Sequence, residues 1–439
     1  MVSIVTYARR EKPGLRHCPR IVVLFAAVLL ICLEASGQEA HPTPGLTGGD
    51  PISPLPQDDP ITFPLVVPTF SSRPGATAKL YLDFDGDFTP TWGIYHPNDT
   101  PAYSTDADPL TYTQAELDNI HEIWMRVSEA YSPFNIDVTT VDPGPLSDHV
   151  AMRVVVGGDG KNGEATYWPG ARAGGIGYVG GFTDVNPNTA FVFPGNLANG
   201  TPKYTAMAIA HEAGHGFGLQ HQSEYSGFLK VQEYSDNDPT TTGDGTGHYS
   251  AQPTAPFMGV SYFATRGIWF YGTSTSSFTF QNDVDVIASE NNAFGYAADE
   301  AGNEAETASP IQRLGNALLA AGVITTVGDH DFYSFTTTDD SFTTLNLSVA
   351  EFGAMLDASM ALYREDGSLV EMAATPSLGE SLALVLTPGT YNIDVFGAGN
   401  VGDIGQYILT GNIGSVPEPG VGLLLLYAIP LFGRRRSRS

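Results

Sequence analysis

The chain has little cysteine and little positive charge. Of 439 residues only two are cysteine, Cys18 and Cys32, and both lie in the first 37 positions. A body without cysteine has no disulfide framework, no thiolate metal site and no cysteine nucleophile. Lys and Arg number 20 against 48 Asp and Glu, a formal net charge of −28. Such a surface repels phosphate backbones and anionic membrane surfaces, so no nucleic-acid partner is expected. Hydrophobic residues make up 42% and include 23 Phe, enough for a packed core, which excludes general disorder.

The ends carry the basic residues. Arg9, Arg10, Lys12, Arg16 and Arg20 precede an apolar run at 21–33, and the small residues Ala35, Ser36 and Gly37 follow. This three-part pattern predicts a secretory signal peptide over 1–37. The run is too short for a stable transmembrane helix, and Ile31 before Cys32 does not fit a lipoprotein anchor. The exported chain would have no cysteine left for disulfides or for a thiol latency switch. At the other end Val416-Pro417-Glu418-Pro419 precedes a second apolar run at 420–432, followed by Arg434, Arg435 and Arg436. These arginines would hold that end in the cytoplasm. Without leader and tail, about 11 basic residues face about 46 acidic ones, a net charge near −35. The tail over 415–439 resembles a PEP-CTERM sorting signal. That resemblance implies sorting machinery of the exosortase type and a transient membrane tether. It places the body in the periplasm, at the cell surface or in the extracellular matrix of a Gram-negative-type bacterium. An ordinary short tail anchor is the other reading.

Between the ends, residues 211–221 read HEAGHGFGLQH. His211 and His215 are four apart, so on a helix they share one face and can bind one zinc ion. Glu212 lies beside them, where a general base is needed. Gly218 lets the helix stop and the chain turn, since glycine reaches left-handed dihedrals without a Cβ clash. The turn returns His221 as third ligand. Three protein ligands leave a position open for water, which marks a catalytic rather than a structural zinc site. The plainer readings are histidines that only pack, or a zinc site without activity; Glu212 argues against the latter.

This H-E-x-x-H-x-x-G-x-x-H string resembles the zinc site of the metzincin metalloproteases, and the order of elements over 76–298 fits them. Leu80, Leu82 and Phe84 alternate with Tyr81, Asp83 and Asp85, a half-buried strand. Thr113 and Glu116 form a capping box before a helix with Leu117, Ile120, Trp124, Val127 and Tyr131 at helical spacing. Strands are predicted at 134–140, 149–156, 173–182 and 189–195, and Thr201-Pro202 opens the helix that carries His211 and His215. Residues 281–289 start a closing helix. The resemblance implies a methionine turn beneath the zinc, for which Pro256-Phe257-Met258-Gly259 is the candidate. It also makes the glycine-rich strand the sheet edge that takes substrate backbone by strand addition. Glycines there equally fit a bulge or bend. Two positions depart from the better-known subfamilies. Gln222 follows the third histidine, and Val260 stands where some members carry a tyrosine; Tyr262 is the nearest candidate for that role.

Residues 38–75, rich in proline, are read as a linker or short propeptide. The acidic loop with Asp236, Asp238 and Asp244 leaves calcium open beside a solvated-loop reading. A linker at 299–309 leads to 310–414, where alternating strands between Asp, Gly and Pro turns predict a β-sandwich. Its segments DHDFYSF, MALYREDGSLV, LTPGTYNIDVFG and GQYILTG resemble the bacterial pre-peptidase C-terminal domain, which is not catalytic. The fold class expected is therefore an α+β metzincin-like catalytic domain, a mixed twisted sheet plus active-site helix, followed by an all-β sandwich. The function expected is an exported zinc endopeptidase acting on a protein or peptide substrate. Its zinc would be held by His211, His215 and His221, with Glu212 as general base and Gly218 and Met258 as support. A surface or matrix binding protein with weak or no activity is the reading from another class.

Overall fold

The computed structural model describes residues 2–6, 61–162, 165–166, 173–237 and 252–416. Most of the leader, the proline-rich segment up to residue 60, Asp238, Asp244 and the tail from Pro417 lie outside the described residues.

The first half is built on six strands, β1 (Val2–Thr6), β2 (Ala78–Asp83), β3 (Ile136–Thr139), β4 (Ala151–Val156), β5 (Ala173–Tyr178) and β6 (Thr189–Val192). Their order is β1-β5-β6-β4-β2-β3. Strands β6, β4, β2 and β3 run parallel to their neighbours, whereas β5 is antiparallel to β6 and β1 antiparallel to β5. The sheet is thus mixed, as the order of elements suggests. The alternation over 79–86 predicts a strand with one wet face, yet β2 is buried almost throughout. It lies inside the parallel part of the sheet, where both faces are covered.

Helix α1 (Gln114–Ala130) starts at the capping box, with Thr113 and Glu116 bonding each other's backbone. Ile120, Ile123 and Val127 are fully buried, and Tyr131 closes the same stripe. Trp124 stays partly open and donates Nε1 to Val138 O at 2.9 Å. Phe70 stacks on it at 4.9 Å. Ser71 bonds Asp137 at 2.8 Å, and Thr62–Pro64 pairs with Thr111–Thr113. The linker expected over 38–75 is corrected here. From Thr62 the chain is already paired, and its 70–73 stretch lies along the β3 edge, where Thr140 Oγ1 accepts from Phe70 N and Asp137 Oδ1 from Arg73 N.

Helix α2 (Pro202–Gly216) is buried on all sides from Thr205 onward. Ala206, Ala208, Ala210, Ala213, Gly214 and Gly216 keep it thin enough to lie between α1 and the sheet. Tyr131 Oη bonds Ala210 O at 3.0 Å across the two helices. Thr201 holds the N-cap position without capping. Its hydroxyl donates back to Ala198 O at 3.0 Å, and Pro202 alone opens the helix. The closing helix α3 is short, Asp283–Ile287.

The second half is two five-stranded sheets. One carries Ser309–Pro310, His330–Thr337, Gly389–Gly397, Ala358–Arg364 and Leu369–Ala373. The other carries Gln312–Leu314, Ala317–Ile324, Gly405–Ser415, Ser341–Val349 and Glu380–Leu386. Inward residues alternate with outward ones, and a Tyr333–Tyr407 hydroxyl bond of 2.8 Å ties the sheets together. The linker expected at 299–309 is structured, since Gly302 bridges Phe332 and Ser309 pairs with Tyr333.

The sandwich is docked on the first half through charged groups. Glu129 of α1 is fully buried and accepts from Met355 N, Gln406 N and Gln406 Nε2 at 3.1–3.3 Å. Arg266 donates to Met355 O at 2.5 Å and to Asp403 at 3.1 Å. Burial pushes the Glu129 carboxyl up from 4.5 to about 7, against the hydrogen bonds that lower it. Between those two values the folded chain holds a proton that the unfolded chain has lost. Stability from this group is therefore full below about pH 4.5 and declines as pH rises through about 7. Thermal midpoints of Glu129→Gln should lack this decline over pH 5–7 relative to the parent chain, read by calorimetry.

Candidate metal centre

The ligand arrangement follows from how α2 ends. Its C-cap is Phe217, and Gly218 takes φ +102°, a left-handed value that costs glycine nothing. Gly218 N bonds His215 O at 2.9 Å and Leu219 N bonds Gly214 O at 3.0 Å, so the last carbonyls of the helix are satisfied. The chain then reverses and brings His221 beside His211 and His215. One ring nitrogen of each lies within 4.8 Å of the others. The Nε2 atoms of His211 and His215 are 3.1 Å apart.

Each Nδ1 is engaged on the far side. His211 Nδ1 bonds Phe257 O at 2.7 Å, His215 Nδ1 bonds Leu219 O at 2.7 Å, and His221 Nδ1 bonds Glu233 Oε1 at 2.7 Å. Acceptors at Nδ1 fix the tautomer that leaves the Nε2 lone pair free. Burial, then the neighbouring imidazoles, hold His215 well below its ordinary value and His211 down to about 3. Both rings are therefore neutral and able to donate to a metal.

Glu212 is fully buried, and both its carboxylate oxygens lack a hydrogen-bond partner among the protein groups. Burial raises its pKa well above the ordinary value. A buried carboxylate without donors calls for a polar partner. Three convergent imidazole nitrogens and this orphaned carboxylate fit one zinc ion and a water. The carboxylate is aimed by the glycines of β5. A Cβ on Gly175 would stand 2.6 Å from Glu212 Cγ and 2.8 Å from Phe191 O. Here the glycine-rich pattern serves close helix–strand approach. The edge of β5 itself pairs with Val2–Thr6 in antiparallel register.

Residues 256–259 form a tight turn. Gly259 N bonds Pro256 O at 3.0 Å, closing the turn with the fully buried Met258 inside it. A Cβ on Gly214, between the two helical histidines, would stand 2.7 Å from Met258 Sδ. Gln222, unplaced by subfamily, is buried and stitches three segments. Its N bonds Met258 O at 2.8 Å, its O accepts from Ser235 N at 2.8 Å, and its Nε2 bonds Asp283 Oδ1 at 2.7 Å. Asp283 is raised to about 7 by burial against three donors. Tyr262 packs on Tyr204 at 5.6 Å, with its hydroxyl beside Gly174. The tyrosine ring against the imidazoles is Tyr234, 4.4 Å from His221 and 6.2 Å from His211.

Sequence reading did not single out Glu233, Tyr234 or Asp283. It also missed a second cluster at the head of the sandwich, Asp299, Asp329 and Asp331, with carboxylate oxygens within 4.8 Å. Asp329 already accepts from Thr325 and Asp331 from Tyr407. The loop Asp236 is buried, and its companions Asp238 and Asp244 lie outside the described residues.

Residues 152–277 match the profile of metallo-peptidase family M12B, reprolysin-like. That span holds α2, His221 and Met258. No curated protein matches. Among solved structures, the chain is similar to the pre-peptidase C-terminal domain of a collagenase from Bacillus anthracis. That likeness has 17% identity and a TM-score of 0.20, over 24% of this chain and 96% of that one. It is also similar to the periplasmic inhibitor of g-type lysozyme from Aeromonas hydrophila (16%, TM-score 0.20, 24% and 96%) and from Salmonella Typhimurium (15%, TM-score 0.18, 24% and 98%). The family match and the three-histidine group support a zinc metalloprotease.

Two outcomes follow from this geometry. The purified chain should bind one zinc ion with a raised melting temperature, and His215→Ala should abolish both effects in a zinc titration followed by calorimetry. Gly175→Ala forces α2 and β5 apart and should cost about 1–3 kcal/mol in denaturant unfolding of the metal-free chain.

Proposed function

We propose that the chain is an exported zinc endopeptidase of metzincin type, with His211, His215 and His221 as zinc ligands and Glu212 as general base. The observation that carries this is the convergence of three imidazole nitrogens beside a buried carboxylate with no protein donor. Zinc, when bound, supplies Lewis acidity that polarises the scissile carbonyl and acidifies water. Glu212 takes the proton of the attacking water at a carboxylate oxygen and delivers it to the leaving amine. Burial around Glu212 keeps bulk water out, so the proton is handed on within the site. Met258 and Gln222 hold the ligand loop in place from below. A substrate strand would pair along β5, whose outward backbone groups accept Val2–Thr6 in the same antiparallel sense.

Export rests on the basic, apolar and small-residue segments of the leader. Final placement in the periplasm, on the surface or in the matrix rests on the tail, which would engage exosortase-type machinery and tether the chain for a time. Casein digestion by the zinc-loaded chain, with Glu212→Ala as partner, tests the activity. The variant should keep its zinc and lose about 10²–10⁴-fold in rate. Equal cleavage by both forms would assign the activity to a contaminant. A chain that binds far less than one zinc and cleaves nothing would be a binding module on a protease fold.

A further inference from the structure

The three imidazoles are not held alike. His211 and His215 sit on α2 and point Nδ1 at the backbone carbonyls of Phe257 and Leu219. Both carbonyls belong to segments locked by the helix end and the methionine turn. His221 lies beyond the helix, its side chain 11% exposed, and its Nδ1 meets a side-chain carboxylate instead.

That carboxylate is brought in by a hairpin. Strands β7 (Glu224–Ser226) and β8 (Leu229–Gln232) pair antiparallel, Glu224 opposite Gln232. One step further, Ser223 Oγ bonds Glu233 O at 2.8 Å, and Ser235 N bonds Gln222 O at 2.8 Å. The register therefore runs the 233–235 segment back along 222–223 and sets Glu233 against His221. Glu233 Oε1 accepts from His221 at 2.7 Å while Oε2 accepts from Lys230 Nζ at 3.0 Å. The carboxylate meets His221 through Oε1 alone, and the Lys230 contact on Oε2 lies on the solvent side, where the Glu233 side chain is 47% exposed.

We propose that Glu233 is the positioning residue for the third zinc ligand: its carboxylate holds the Nδ1–H of His221, so that Nε2 faces the nitrogens of His211 and His215. This deepens the zinc-peptidase reading and rests on it. A carboxylate partner orients the ring and makes the imidazole a stronger donor than a carbonyl partner does. The ligand without a helix to hold it thus takes its direction from the hairpin that follows it.

The test compares Glu233→Ala, Glu233→Gln and Lys230→Ala in the full chain, by zinc competition against a chromogenic chelator and by visible absorption of the cobalt-substituted forms. Glu233→Ala should weaken zinc binding about ten- to hundred-fold and shift the cobalt bands. Glu233→Gln keeps an oxygen acceptor for Nδ1 and should recover part of the affinity and the parent band positions. Lys230→Ala leaves the His221 contact in place and should stay within about two-fold. Melting of the metal-free forms should be alike, which separates metal positioning from folding. Parent-like affinity and cobalt spectrum in Glu233→Ala would overturn the proposal. These readouts need no hydrolysis, so a chain that binds zinc but cleaves nothing would sink the peptidase reading while the role of Glu233 is still decided.

Discussion

The site depends on one close approach, that of α2 to β5. A helix can lie this near a strand only if the strand has no side chains beneath it, and Gly175 and Gly177 provide that space. The approach does three things together. It removes Glu212 from bulk water, leaves its oxygens without protein donors, and holds the helix so that His211 and His215 face away from the sheet toward the returning chain. The cost of burying a polar carboxylate is offset only when something polar stands beside it. The protein interior thus creates a demand that a metal ion and its water would satisfy. A wider helix–strand gap would admit solvent and relax both constraints.

The remaining groups act as braces on this arrangement. Phe257 O and Leu219 O fix two rings through the backbone, and Glu233 fixes the third through a side chain. Met258 fills the hollow that Gly214 leaves in the helix, and the same turn receives Gln222 N. Gln222 also reaches Asp283 at the start of α3, so the ligand loop, the methionine turn and the closing helix share one hydrogen-bond network. Removing the Gln222 amide would leave Asp283 buried with fewer donors, which explains why a polar residue rather than an apolar one follows the third histidine here.

Local features were legible in the sequence and long-range ones were not. The capping box of Thr113 and Glu116, the helix carrying His211 and His215, and the reversal at Gly218 each depend on residues a few positions apart. Spacing alone therefore places them. Glu233 lies 12 residues from His221 and reaches it only through hairpin register, with a bulge between Glu224 and Tyr225 that no pattern marks. Residues 62–73 read as linker because they continue from the Pro-, Gly- and Thr-rich run before them, yet their backbone pairs with partners far along the chain. Thr201 shows the converse: a favourable N-cap residue whose hydroxyl is drawn to Ala198 O instead. Asp299, Asp329 and Asp331 meet only because the chain entering the sandwich bridges, at Gly302, to Phe332 of the strand His330–Thr337.

The sandwich bears on the metal centre through a short mechanical route. Arg266 holds the Met355 carbonyl and Asp403 of the sandwich, and it begins the strand Arg266–Ile268. That strand pairs in parallel with Thr254–Pro256, and Ile268 O receives Phe257 N at 2.9 Å. Phe257 in turn gives its carbonyl to His211 Nδ1 and precedes Met258. Trp269 follows directly, fully buried, with Nε1 on Ala130 O at 2.6 Å, one residue from Glu129 and its bonds to Met355 and Gln406. Two anchors, one acidic on α1 and one basic beside the turn, therefore clasp the same sandwich loops. A buried carboxylate and a guanidinium are poor choices for adhesion alone, since desolvation offsets much of their attraction. They are good choices for fixing one orientation, because each accepts only a narrow geometry of donors and acceptors. The sandwich thus shares in setting where the turn of Met258 lies beside the imidazoles.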